Sequence, residues 1–101
     1  MATVLVIGSE AASLAPSAAR VEILRARDLE EGLEILARNR RIDAILVLSG
    51  LEHLPVIEAI REENSAPPPI FVACAPPAPA GSRAVAEDPN LAVEEICREL
   101  E

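Results

Sequence analysis

Runs of consecutive apolar residues recur along the chain and predict buried β-strands. Three of them are five residues long, at Thr3–Ile7, Ala44–Leu48 and Ile70–Cys74. Aliphatic and β-branched runs without alternation are typical of strands that are covered on both faces of a parallel sheet. Two more polar segments, Val21–Arg25 and Arg83–Ala86, predict outer strands, and the alternation in Val21–Arg25 indicates one solvent-exposed face.

Capping residues and a 3.6-residue apolar period predict three helices between these strands. Asp28 and Glu31 have the spacing of a capping box and start the first helix. The second helix runs from about Glu52 to Glu63, and the third follows the cap Asp88 with Pro89 in its first turn. The residues expected to face the sheet are Leu29, Leu33, Leu36 and Ala37, then Leu54, Ile57 and Ile60, and finally Val93, Ile96, Cys97 and Leu100.

Two segments lack a regular pattern. Residues 9–20 are small and contain Pro16, so any helix there is limited to one or two turns. The stretch APPAPAGS favours extended polyproline geometry, and its residues 76–81 are either a recognition element or a stiff loop. No internal repeat or long linker divides residues 1–101, which predicts a single domain.

The alternation of strands and helices predicts an α/β protein with a parallel sheet and right-handed crossovers. Three buried strands flanked by two more polar ones fit the strand order 2-1-3-4-5, which is the flavodoxin-like arrangement. In that arrangement ligands bind at the carboxyl ends of the first and third strands.

Composition excludes several classes of function. The chain has 101 residues and a net charge of -8, its nine basic residues are all arginine, and Phe71 is its one aromatic residue. Without lysine there is no Walker-type phosphate loop and no Schiff-base chemistry. Without an aromatic platform, and with this negative charge, neither nucleic acid nor an anionic membrane surface is an expected partner.

The remaining sequence features predict a cytoplasmic protein without a metal or a cofactor. The run Val4–Ile7 is too short for a signal peptide or a membrane span. Cys74 and Cys97 lie in apolar segments and are expected to be reduced and buried. The single histidine, His53, follows Ser49 at a spacing open to a nucleophile and a base, but no third group orients them, so catalysis is not expected.

The order of the motifs resembles the receiver domain of two-component response regulators. RARDLEEGLEILARNRRIDAILVL is similar to that family's second helix and third strand. LEHLPVIEAIREENSAPPPIFVACA resembles its third helix and fourth strand, and AVAEDPNLAVEEICREL its fifth strand and helix. The resemblance covers residues 21–101 and implies a shortened receiver, with a reduced first helix and a proline-rich loop in place of the fourth helix.

Active receivers bind Mg²⁺ through an acidic pair after the first strand and accept phosphate on an aspartate after the third. They sense the phosphate through a hydroxyl residue that ends the fourth strand and a Lys-Pro pair that ends the fifth. In this sequence the acidic pair falls on Gly8 and Ser9, the acceptor on Leu48 (or Ser49 in a shifted register), the hydroxyl on Cys74 and the lysine on Asp88. The resemblance therefore implies a vestigial pocket that neither binds Mg²⁺ nor takes a phosphoryl group.

The functional expectation is a non-phosphorylatable, receiver-like module for protein interaction in bacterial regulation, and not an enzyme. A first alternative is a small regulatory subunit of a larger assembly, because the chain resembles the small regulatory subunit of rotary ATPases in size and in its acidic last helix. A second alternative is a flavodoxin-like protein that binds phosphate or a flavin at the turn Gly8–Ser9.

A protein partner or a second copy of the chain is expected on the sheet face that carries the last helix. The segment 9–20 offers that face one large apolar side chain, Leu14, so apolar strand residues such as Val4 and Val6 are expected to be thinly covered. The expected contact residues are Leu14, Val93 and Ile96.

Overall fold

Five parallel strands and three helices make up the described part of the computed structural model, which comprises residues 2–8, 21–38, 41–48, 53–63, 68–74 and 82–100. In chain order they are β1 Ala2–Ile7, β2 Val21–Ala26, α1 Leu29–Arg38, β3 Ala44–Val47, α2 His53–Glu63, β4 Ile70–Ala73, β5 Arg83–Val85 and α3 Pro89–Leu100. The sheet has the order β2-β1-β3-β4-β5. The predicted flavodoxin-like α/β topology is confirmed.

The strand register brings the carboxyl ends of β1, β2 and β3 to one edge of the sheet. Ile7 is paired with Ala26 on one side and with Val47 on the other. At the opposite edge, two residues lock β1 to the segment before β3. The Thr3 N–H donates to Asp43 Oδ2, and the Asp43 N–H donates to the Thr3 carbonyl oxygen, both at 2.7 Å.

The core has two layers because β1, β3 and β4 are apolar on both faces. Helices α1 and α2 pack on one face of the sheet and α3 packs on the other. The sheet residues beneath α3 are Val4, Val6, Ala44, Leu46, Phe71 and Ala73. Those beneath α1 and α2 are Leu5, Ile7, Ile45, Val47, Ile70 and Val72. All twelve are buried, which confirms that the continuous apolar runs are interior strands.

Strand β2 is an edge strand, as predicted, but it does not have one apolar and one polar face. Ile23 packs against the core beneath α3, whereas its neighbour Leu24 packs against the core beneath α1 and α2. Glu22 and Arg25 are exposed. Each face of this strand therefore carries one apolar and one charged side chain, as the consecutive pair Ile23-Leu24 requires in an alternating strand.

Helix α1 contacts the sheet through a different stripe from the predicted one. Leu36 is buried, and Leu29 and Leu33 pack against the core, as predicted, but Ala37 is exposed. The position that was missed is Gly32, which is buried: a Cβ built on it would lie 2.8 Å from Ile7 Cδ1. The helix turns this glycine toward β1, which leaves Ala37 on the solvent side.

The start of α1 confirms the cap and modifies the capping box. Asp28 Oδ1 accepts the Glu31 N–H at 2.9 Å, as expected of an N-cap residue. The Glu31 carboxylate accepts the N–H of Arg27, at 3.3 Å, one residue before the cap. The reciprocal bond of a standard capping box ends instead at the cap residue's own N–H.

The other two helices follow their predicted stripes and extend them. In α2, Ile57 and Ile60 are buried together with Val56, which was not predicted. In α3, Val93 and Ile96 are buried, and Cys97 and Leu100 pack at the margin of the core. The side chain of Leu54, the segment 9–20 and the proline-rich loop 76–81 lie outside the described residues.

Candidate functional site

The carboxyl edge of the sheet collects the positions that the receiver resemblance singles out. Gly8 follows β1, Leu48 follows β3, Cys74 follows β4, and Asp88 lies at the start of α3. The strand order reverses direction between β1 and β3, which is where open α/β sheets hold their ligands. This edge is therefore the first place to look for a site.

Gly8 and Leu48 are in direct contact there. Both lie on extensions of the strand ladder, since the Gly8 N–H donates to the Ala26 carbonyl oxygen at 2.9 Å and the Leu48 N–H to that of Ile7 at 3.0 Å. Gly8 has a φ of 149°, and a Cβ on it would lie 2.8 Å from the Cβ of Leu48. Leu48 is fully buried. The leucine therefore occupies the space that a side chain at position 8 would need.

This contact offers no chemistry to a metal ion or a phosphoryl group. Mg²⁺ requires hard oxygen ligands, and neither glycine nor leucine has a side-chain oxygen. Ser9 and Ser49, the two alternative positions of the vestigial pocket, lie outside the described residues. Within the ranges that the structure describes, His, Cys, Asp and Glu side chains form no group of three or more that could hold a metal.

Cys74, at the position of the family's hydroxyl residue, packs against the core beneath α1 and α2. The side chain is half-buried, and its N–H donates to the Val72 carbonyl oxygen at 2.9 Å, closing a tight turn at the end of β4. Cys97 packs on the other face of the sheet, and neither cysteine forms a disulfide. Cys74 therefore behaves as a small apolar side chain in this position.

Asp88, at the position of the family's lysine, is the N-cap of α3. Its Oδ1 accepts the Asn90 N–H at 2.9 Å, and its carbonyl oxygen accepts the Ala92 N–H at 2.9 Å. The Glu95 carboxylate reaches back from the helix and accepts the Ala86 N–H at 2.8 Å. The turn from β5 into α3 is thus held by two carboxylates, and the predicted capping role of Asp88 is confirmed.

A groove between β5 and α3 was missed by sequence reasoning. Its volume is about 260 Å³ and its lining residues are Phe71, Arg83, Ala84, Val85, Glu95, Arg98 and Glu99. Arg83 donates to both carboxylate oxygens of Glu99, at 2.7 and 3.2 Å, and its guanidinium carbon lies 6.0 Å from the centre of the Phe71 ring. The available signal was the register of β5 on β4, which sets Arg83 beside Phe71.

The expected partner-binding residues are not at the surface. Val93 and Ile96 are buried in the core beneath α3, and Leu14 lies outside the described residues. The expectation of a thinly covered sheet face is wrong for the strands, because Val4 and Val6 are fully buried. Leu91 is the only large apolar residue exposed within the described residues, with 51% of its surface accessible. A single side chain of this kind is ordinary on a protein surface.

Comparison of the chain with protein-family models, with curated proteins and with solved structures gives no match. None of the helices that the structure describes combines the length and the apolar character needed to span a membrane. The functional argument therefore depends on the residues at the carboxyl edge of the sheet.

Proposed function

We propose that this chain is a degenerate receiver that does not accept a phosphoryl group and acts as a protein-interaction module. The observation that carries the proposal is the contact between Gly8 and Leu48. These residues stand where the receiver resemblance expects a metal-binding acid and the phosphate acceptor. A fully buried leucine packed against a glycine replaces both.

The electrostatics of the edge support the same proposal. Phosphoryl transfer is stabilised by positioned cations, since negative charge is spread over the oxygens of the transferred group. Asp88 replaces the expected lysine with a carboxylate, and that carboxylate is already committed to the first turn of α3. Restoring a lysine at this position would remove the cap without supplying a metal ligand or an acceptor.

The interaction role is the part of a receiver that remains when phosphorylation is lost. Receivers act on other proteins through their surfaces, and this chain keeps the parallel sheet with helices on both of its faces. The proposal assigns no catalytic step and no cofactor to the chain. It names a protein partner, or a second copy of the chain, as the ligand.

The pocket part of the proposal is tested with phosphate analogues. Amide NMR spectra of the ¹⁵N-labelled chain are recorded with Mg²⁺ alone and with Mg²⁺ and beryllofluoride, and an intact receiver in the same buffer shows that the reagents are active. We expect no saturable shifts at Gly8, Leu48 or Cys74. Shifts at these residues that saturate only when both reagents are present would overturn the proposal.

The interaction part is tested by association. Light scattering at micromolar concentration measures self-association, and affinity capture from the source cell lysate measures other partners. An unrelated protein of the same size and net charge serves as the capture control, because a chain with charge -8 attracts basic proteins non-specifically. A monomer that recovers nothing above this control contradicts the interaction role and leaves the pocket result unaffected.

A further inference from the structure

We draw no further inference here: the strongest candidate, the groove between β5 and α3 beside Arg83, carries nothing because Glu99 already neutralises that arginine, β5 is a short, charged edge of the kind that resists added strands, and nothing in the structure shows what covers the groove.

Discussion

The Cβ of Leu48 lies 2.8 Å from the point where a side chain on Gly8 would begin. Real Cβ atoms do not approach each other this closely, so a residue other than glycine at position 8 requires a shift of β1 or β3. The backbone of Gly8 adds a second constraint, since its φ of 149° is one that side chains with a Cβ rarely adopt. Packing and backbone conformation thus select the same residue.

Gly8→Ala is expected to lower the free energy of unfolding substantially. The backbone conformation costs about 1–3 kcal/mol when a Cβ is present, and the close contact adds overpacking of about 1–3 kcal/mol. Urea denaturation of the variant and the parent measures the loss. Because alanine keeps a Cβ, the Leu48→Ala background removes only the more distant contacts at 3.2 and 3.3 Å. Most of the loss should therefore persist in the double variant, and a full rescue there would show that the contact is wrongly described.

Leu48 tests whether the edge of the sheet is a packed core. Leu48→Ala should cost about 2–5 kcal/mol as a cavity-forming change, whereas Leu48→Met should cost less than about 1.5 kcal/mol. Leu48→Asp restores the side chain of a phosphate acceptor but places a charge in a fully buried position. At neutral pH it should be less stable than Leu48→Asn, which has the same shape without the charge. Equal urea midpoints for these two variants would mean that position 48 is open to water.

Gly32→Ala should destabilise the chain, against the usual behaviour of this substitution in a helix. Helix propensity favours alanine by about 1 kcal/mol, but the added Cβ meets Cδ1 and Cγ1 of Ile7 at 2.8 and 2.9 Å. Ile7 is fully buried, so its side chain has little room to move, and overpacking costs about 1–3 kcal/mol. Thermal and urea unfolding would show the net loss.

The Ile7→Val background provides the matched control for Gly32→Ala. Valine lacks Cδ1, the atom nearest to the new Cβ, so the double variant should be more stable than the sum of the two single effects. Strict additivity would place the cause of the Gly32→Ala effect elsewhere.

Asp88→Ala should cost about 0.5–2 kcal/mol, the range for loss of an N-cap. Asp88→Asn keeps an oxygen for the Asn90 N–H and should remain close to the parent. Glu87→Ala removes the same charge from the neighbouring exposed residue and should have little effect. If Glu87→Ala and Asp88→Ala shift the urea midpoint equally, net charge rather than the cap explains the change. Asp88→Lys should not create beryllofluoride binding.

The ion pair of Arg83 and Glu99 should contribute little to stability despite its two hydrogen bonds. Both side chains are largely exposed, at 64% and 46%, and exposed pairs are typically worth about 0–1 kcal/mol. A double-mutant cycle with Arg83→Ala and Glu99→Ala measures the coupling, which should decrease further as salt is added. A coupling that is large and insensitive to salt would show that the groove is dry.

Local patterns predicted the fold well where one residue or run decides the outcome. Asp28 and Asp88 cap their helices as expected because an N-cap needs only a carboxylate and the following amides. The side of α1 that faces the sheet was predicted less well. Hydrophobic periodicity gives glycine no weight, yet the absence of a Cβ is what lets Gly32 approach Ile7.

The site was predicted as a set of positions and not as a set of contacts. Topology alone places Gly8 and Leu48 at the same edge of a parallel sheet. Their direct contact depends on the distance between the ends of β1 and β3, which no sequence period encodes. Val93 and Ile96 were assigned to a partner because the cover of their sheet face could not be judged from the strands alone.

The clamp between Thr3 and Asp43 has a consequence for the order of folding. These residues are 40 positions apart, and β1 lies between β2 and β3, so the central strand is made first and completed late. Closing a loop of this length costs chain entropy before any pairing compensates for it, and topologies rich in such distant contacts fold slowly. While β3 is still missing, one edge of the apolar strand β1 is open to pairing with other chains. The short apolar runs that identify this fold are therefore also its main aggregation hazard during synthesis.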